Sequence, residues 1–153
     1  MFWRSVYGVI PVPVFATDNL PETTAACERG PVVFIRPRYL CPADEGLLQH
    51  ELEHVRQFWL PILLSMLMSA GVAGLAHIFH FDLAFAALPL FIGLLWHFTL
   101  SRFSKTYRYW SEVRAYHIQS ECYDDDRRPL FAQFIAENYG LVVTQEQALA
   151  ELR

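Results

Sequence analysis

Residues 46–58 read GLLQHELEHVRQF, a stretch that carries two histidines, His50 and His54, four positions apart. On an α-helix, side chains at this spacing lie one turn apart on the same face, so both imidazoles can reach one metal ion. Glu51 follows the first histidine, where its carboxylate can take a proton from a water on the metal. The alternative is a chance occurrence of the three residues on the surface of an amphipathic helix. We expect a metal site.

The composition excludes several classes of protein. A chain of 153 residues fits one minimal domain, 1–153, that carries an insertion. A net charge of -4 provides no basic surface for nucleic acid. Cys27, Cys41 and Cys122 are an odd number without a CxxC pair, which favours a reducing compartment over a disulfide framework. The first residues lack the pattern of a cleavable signal peptide.

Short β-strands are expected before the HELEH helix. Residues 5–15 are rich in valine, but Pro11 and Pro13 confine this segment to a sheet edge or to a strand end. The polar stretch 17–30 has the composition of a loop. A second strand is expected at about 32–36. It is either an ordinary core strand or an exposed edge that holds an extended peptide by main-chain hydrogen bonds.

The segment from Phe58 to Leu100 is strongly apolar, and Asp82 is the only Asp, Glu, Lys or Arg in it. Each half is about as long as the ~20 residues that span a bilayer core. We therefore predict a transmembrane helical hairpin, inserted at about 59–101, with its turn near Asp82. A soluble hairpin buried against a partner or a second copy of the chain is the alternative. Pro61 either starts a new helix or kinks the first one.

The charges that flank the hairpin predict its orientation. Arg56 precedes it, while Arg102, Lys105 and Arg108 follow it, and the turn contains neither lysine nor arginine. By the positive-inside rule, both ends of the hairpin face the cytoplasm, and the HELEH helix faces it with them. We therefore expect a protein of the cytoplasmic (inner) membrane, with lipid around its hairpin and its active site facing the cytoplasm.

Three helices are expected after the hairpin. Residues 104–122 repeat apolar side chains at helical spacing, and this segment contains Glu112. A second helix covers 130–139 and ends at a glycine, and a capping box that begins at Thr144 opens a last short helix. The fold expected is α+β and mostly helical, with short N-terminal strands, the HELEH helix, the apolar hairpin, the glutamate helix and two short helices.

A catalytic zinc site needs a third protein ligand and leaves one position for water. Glu112 is the strongest candidate, because the small residue Ala115 follows it by three positions and would let two helices approach closely. A surface pair between Glu112 and Arg108 is the alternative. His117 and Glu121 are the reserve ligands.

HELEH matches the HExxH signature of zinc metallopeptidases, and EVRA at 112–115 is similar to the glutamate motif of the gluzincin group. The order of HExxH, two membrane helices and a glutamate helix resembles membrane peptidases of the HtpX kind, over about 32–121. The resemblance implies that both histidines and Glu112 bind Zn2+ and that Glu51 is the general base in peptide-bond hydrolysis. Helical spacing alone leaves Glu51 and Glu53 open as the base, and the motif selects Glu51.

The resemblance also implies a side chain that stabilises the oxyanion, for which Tyr116, His117 and Tyr109 are the candidates. The function expected is zinc-dependent cleavage of a peptide or protein substrate by a small membrane-anchored endopeptidase, which works alone, as a homo-oligomer or with a protein partner. The alternative is a membrane-inserting structural or partner-binding protein whose metal only braces the fold through a closed site of four ligands.

Overall fold

The computed structural model describes residues 1–40, 42–140 and 143–153, without the side chains of residues 97, 98 and 101. The described chain is α+β and 61% helical, with a four-stranded N-terminal sheet and five α-helices, which confirms the predicted fold class. Cys27 and Cys122 are free thiols. Cys41 lies outside the described residues.

The elements follow one another along two compact units. The first unit comprises Met1–Arg56 and Lys105–Arg153, and the second comprises Gln57–Ser104, the segment expected as an inserted hairpin. In chain order the elements are β1 (Phe2–Val6), β2 (Ile10–Ala16), β3 (Ala26–Arg29), β4 (Val32–Ile35), α1 (Glu45–Phe79), α2 (Ala87–Phe103), α3 (Lys105–Ser120), α4 (Arg128–Asn138) and α5 (Gln145–Glu151).

The sheet has the strand order β1-β2-β4-β3. β1 and β2 form an antiparallel hairpin whose turn contains Tyr7 (φ 52°) and Gly8 (φ 72°), so the segment expected as one strand is divided in two. A left-handed backbone at the turn matches the twist of the flanking strands, and glycine adopts it without strain. β4 is parallel to β2 and antiparallel to β3.

The stretch 17–30, expected to be a loop, contains β3, and that expectation is wrong in its last part. β3 and β4 form a hairpin around Gly30, which has a φ of 65° and donates its N–H to the Glu28 carboxylate at 2.6 Å. β4 is consequently an interior strand of the sheet. Of the two interpretations of the strand at 32–36, the structure supports the core strand, and the edge strands are β1 and β3.

Pro11 and Pro13 lie in the part of β2 that pairs with β1 alone, because pairing with β4 begins at Val14. The two prolines are two positions apart, so their nitrogens face the same side of the strand. A nitrogen that cannot donate a hydrogen bond is tolerated on the side away from β1. β2 therefore behaves as an edge strand over its first half and as an interior strand over its second.

Helix α1 begins after Asp44, whose side chain accepts a hydrogen bond from the Leu47 N–H at 2.9 Å and caps the helix. The helix continues to Phe79 and includes Pro61 in its interior. Pro61 therefore does not start a new helix. It lies inside the helix, from which it removes one N–H donor.

Within the second unit, α1 is long and apolar enough to cross a membrane. An 18-residue window has a mean hydropathy of 1.9, and 17% of that window is buried. Among the described residues it alone meets this criterion, since the apolar stretch Leu83–Trp96 is shorter. The turn after α1 lies at His80 (φ 56°) and at Asp82, which accepts a hydrogen bond from Ala84 N–H at 2.8 Å. This is the predicted position of the turn.

The helices after the hairpin enclose a core of their own. Gly140, at a φ of 60°, follows α4. The Thr144 and Gln147 side chains form the predicted capping box of α5. The buried residues of this core come from α3, α4, α5 and the C-cap of α5, and are Tyr116, Phe131, Ala132, Ile135, Ala148 and Leu152.

Two glycines of the second unit provide a test of its packing. A Cβ added at Gly93 of α2 would collide with the Ser65 side chain and lie 2.8 Å from the carbonyl oxygen of Pro61, both on α1. A Cβ at Gly71 would meet open space. Replacing glycine by alanine inside a helix ordinarily stabilises it by about 1 kcal/mol. We expect Gly71→Ala to raise the midpoint of thermal unfolding, followed by circular dichroism, and Gly93→Ala to lower it. A rise in both variants would contradict close packing of α2 on α1.

Candidate metal centre

Helix α1 carries His50 and His54 in its buried part, where the two side chains are 6% and 8% exposed. The helix is held there by Leu48, Leu52 and Val55, which are buried as well and recur at the spacing of one helix face. The histidines lie on the neighbouring face, toward α3. The amphipathic pattern of α1 therefore fixes the direction in which the two imidazoles point.

Glu112 reaches both histidines from α3. Its Oε2 atom lies 3.6 Å from Nε2 of His50 and 3.7 Å from Nε2 of His54, and the two Nε2 atoms are 3.2 Å apart. Bond lengths of about 2.0–2.1 Å at tetrahedral angles place two zinc ligands about 3.3 Å from each other. The three atoms thus form a triangle of the size that zinc requires.

The chemistry of the donor set also fits zinc. Two imidazoles and one carboxylate are a known ligand set of catalytic zinc, and they leave the fourth tetrahedral position for water. Oε2 of Glu112 is buried and has no hydrogen-bond partner within 3.5 Å among the described residues. In the same part of the chain, no fourth His, Cys, Asp or Glu joins the group. The residues present therefore match an open site rather than a closed one.

The three groups influence one another electrostatically. Burial raises the pKa of Glu112, but the neighbouring imidazoles of His50 and His54 outweigh it and hold this pKa far below its usual range. Burial lowers the pKa of His50, and the neighbouring Glu112 and Gln119 side chains oppose this shift only in part. Burial acts likewise on His54, but the neighbouring carboxylates of Glu112 and Glu51 outweigh it and raise the pKa of His54 to about 10. The cluster therefore favours a positive charge at its centre.

Ser111, the residue before Glu112, orients the second histidine. Its Oγ atom lies 3.2 Å from Nδ1 of His54, and both groups are buried. With Oγ as the acceptor, Nδ1 carries the proton and Nε2 turns its lone pair toward Glu112. The sequence analysis missed Ser111. The only feature of the sequence that could have indicated Ser111 is its position as a small polar residue next to Glu112.

The structure distinguishes the two glutamates that helical spacing leaves equivalent. Glu51 lines a cavity beside His50, and burial raises its pKa to about 7. The Glu53 side chain is 2% exposed and accepts hydrogen bonds from Arg56 at 3.0 Å and from Arg114 at 2.5 Å. Two guanidinium groups therefore hold the oxygens of Glu53 in charge-assisted hydrogen bonds and keep them from a water beside the histidines. Glu51 is the carboxylate beside the histidines whose raised pKa suits proton exchange near neutral pH.

The cavity has a volume of about 640 Å³ and lies within the first unit. His50 and Glu51 line it from α1, and Phe131 and Phe134 line it from α4. Ala26, the first residue of the edge strand β3, lines it from the sheet. Since β3 pairs on one side only, its other side has main-chain groups that an extended peptide can bind.

Tyr116 and a second tyrosine stand in the cavity wall. The ring centroid of Tyr116 is 4.4 Å from that of His50, and its hydroxyl lies 3.0 Å from the hydroxyl of Tyr139. Burial raises the pKa of Tyr116 to about 12, and burial followed by the charge of Glu112 raises the pKa of Tyr139. Both hydroxyls therefore stay protonated. Tyr139 was missed because it ends another helix, where no sequence pattern connects it to HELEH.

His117 lies apart from this cavity. Its side chain is 47% exposed and pairs with Glu121 at 3.6 Å. Tyr109 packs against the core formed by α3, α4 and α5. The residues that the structure brings together from the predicted site are His50, Glu51, His54, Glu112 and Tyr116.

Comparison of the chain with protein-family models, with curated proteins and with solved structures finds no match.

Metal binding can be measured directly on the purified chain. We expect about one zinc ion per chain in the wild type after dialysis, measured by inductively coupled plasma mass spectrometry. His54→Ala and Glu112→Ala each remove one of three ligands and should lose most of this zinc. His117→Ala removes an exposed histidine from the same helix as Glu112 and should keep it. A folded wild type without zinc, or equal zinc in all variants, would refute the site.

Proposed function

We propose that the protein is a small membrane-anchored zinc endopeptidase in which His50, His54 and Glu112 hold the metal. The observation that carries this proposal is the convergence of three ligand atoms, all within 4.8 Å of one another, beside Glu51 in a cavity wall. The resemblance of HELEH and of the segment 112–115 to the gluzincin motifs supports the same assignment.

Bound zinc would supply a Lewis acid that makes water reactive near neutral pH. Glu51 accepts a proton from the attacking water and later delivers it to the leaving amine. Its place beside His50, in the wall of the cavity, suits this role. Glu53 does not suit it, because Arg56 and Arg114 hold its oxygens.

The tyrosine pair would act on the carbonyl oxygen of the substrate. One of the two hydroxyls, Tyr116 or Tyr139, donates to the other across 3.0 Å. The acceptor of this bond keeps its own proton available for a substrate oxygen. A donor held in place before the reaction stabilises the charge that develops on that oxygen.

The edge strand β3 is where an extended peptide would bind. Ala26 pairs with Ile35 of β4 and also borders the cavity that contains Glu51. A peptide that adds to this edge is held by main-chain hydrogen bonds, which do not depend on its sequence. Such binding places a peptide bond close to His50 and suits an endopeptidase.

The role of Glu51 is tested by Glu51→Gln, which preserves the shape of the side chain but cannot accept the proton. We expect this variant to keep its zinc and to lose about 10²–10⁴-fold in kcat on an unstructured protein substrate. Glu121→Gln alters an exposed carboxylate, and we expect it to keep wild-type turnover. Zinc content is measured on the same samples. Undiminished cleavage by zinc-loaded Glu51→Gln would exclude Glu51 as the base.

The second unit supports membrane anchoring. Its large apolar side chains are exposed, including Leu67 (73%) and Phe91 (63%). Together with the hydropathy of α1, this surface suits lipid. By the positive-inside rule, Arg56 before the hairpin and Arg102, Lys105 and Arg108 after it favour a cytoplasmic location for both ends.

Anchoring and orientation are tested together on a variant whose only cysteine is Cys122, which is exposed. We expect the protein to stay with membranes through an alkaline carbonate wash. A membrane-impermeant maleimide should label Cys122 only after the cells are permeabilised, whereas a cysteine introduced by Phe81→Cys at the turn should react in intact cells. Release by carbonate would favour a hairpin covered by protein, and the reverse labelling pattern would invert the orientation.

A further inference from the structure

The two ligand histidines differ in how their second nitrogen is held. Ser111 lies against Nδ1 of His54. Nδ1 of His50 is buried and has no hydrogen-bond partner within 3.5 Å among the described residues. A metal-binding imidazole ordinarily donates its other N–H to a neighbouring acceptor, which fixes the tautomer and the ring orientation. His50 therefore needs an acceptor near Nδ1.

Gln119 is placed to provide this acceptor. It follows Glu112 by seven positions and Tyr116 by three, so the three side chains share one face of α3. Gln119 is 7% exposed and lines the same cavity as His50. It is also close enough to act on the His50 imidazole.

The amide of Gln119 is held by two further groups. Its Nε2 donates to the hydroxyl of Tyr123 at 3.1 Å, and this hydroxyl donates to Oδ1 of Asp44 at 2.6 Å. Because the NH2 end of the amide is directed to Tyr123, its carbonyl end is the one left for His50. All donations then run in one direction, from the imidazole to the carboxylate, and bonds aligned in this way polarise one another.

The far end of this chain of hydrogen bonds is fixed to the helix that carries His50. The same Oδ1 atom of Asp44 accepts the Leu47 N–H at 2.9 Å and caps α1. The Tyr123 ring packs directly against Gly46, because glycine has no side chain there and an added Cβ would collide with the ring. The first turn of α1 is therefore shaped around Tyr123.

We propose that Gln119 is a positioning residue for His50: its carbonyl oxygen accepts the Nδ1–H, while Tyr123 and Asp44 hold the amide in place. This relay leaves Nε2 of His50 unprotonated and directed at Glu112. A carboxylate at the end of the relay increases the basicity of Nε2 as a ligand. The inference rests on the proposed metal centre.

The first readout is zinc affinity, measured by competition with a chelator. Gln119→Leu keeps the size of the side chain without the acceptor and should weaken binding about 10–100-fold. Gln119→Glu keeps an acceptor and should bind more tightly than Gln119→Leu. Tyr123→Phe should weaken binding by a smaller factor, because the carbonyl remains but is no longer held. Tyr39→Phe is the matched control, since the Tyr39 hydroxyl accepts an exposed hydrogen bond from Arg38, and the zinc affinity of this variant should not change.

The second readout is the tautomer of His50 in the metal-free protein, observed by long-range 1H–15N correlation NMR. The wild type should show the Nδ1–H form, and Gln119→Leu should show less of it at an unchanged melting temperature. Wild-type affinity and an unchanged tautomer in Gln119→Leu would overturn the relay. A folded wild type that takes up no zinc would overturn the metal centre instead, and the tautomer comparison would still decide the role of Gln119.

Discussion

The contact between the first half of α1 and α3 is the interaction on which the whole site depends. The chain leaves the first unit after Arg56 and returns to it at Lys105, so the two helices meet across a long sequence separation. The carboxylate of Glu112 on α3 reaches both imidazoles of α1. Ala115, three residues after Glu112, is completely buried.

This contact buries an unusual amount of charge for so small a unit. Glu51, Glu53 and Glu112 all lie within it, and removing a carboxylate from water costs several kcal/mol. Each is compensated differently. Arg56 and Arg114 neutralise Glu53, the two imidazoles stabilise ionised Glu112, and a raised pKa lets Glu51 stay partly neutral. A divalent cation bound in the proposed centre would compensate the remaining negative charge and would couple metal binding to the stability of the helix contact.

The β-sheet shows where local sequence patterns mislead. The valine-rich segment 5–15 was expected to be one strand, but Tyr7 and Gly8 turn the chain into a hairpin, and a tyrosine at positive φ is not a usual turn signal. The polar composition of the stretch 17–30 did not indicate β3, because an edge strand of four residues needs no continuous apolar face. Its partner is β4, and pairing rather than composition makes it a strand.

The sequence by itself determined the features that a helix imposes locally. The four-residue spacing places His50 and His54 on one face, and the Thr144 capping box starts α5, because helix geometry relates residues only a turn apart. Tertiary structure alone decided which glutamate faces the cavity. It also decided that Ser111, Gln119 and Tyr139 lie near the histidines. The reason is physical: these contacts join segments that are far apart in the chain, and no local period encodes them.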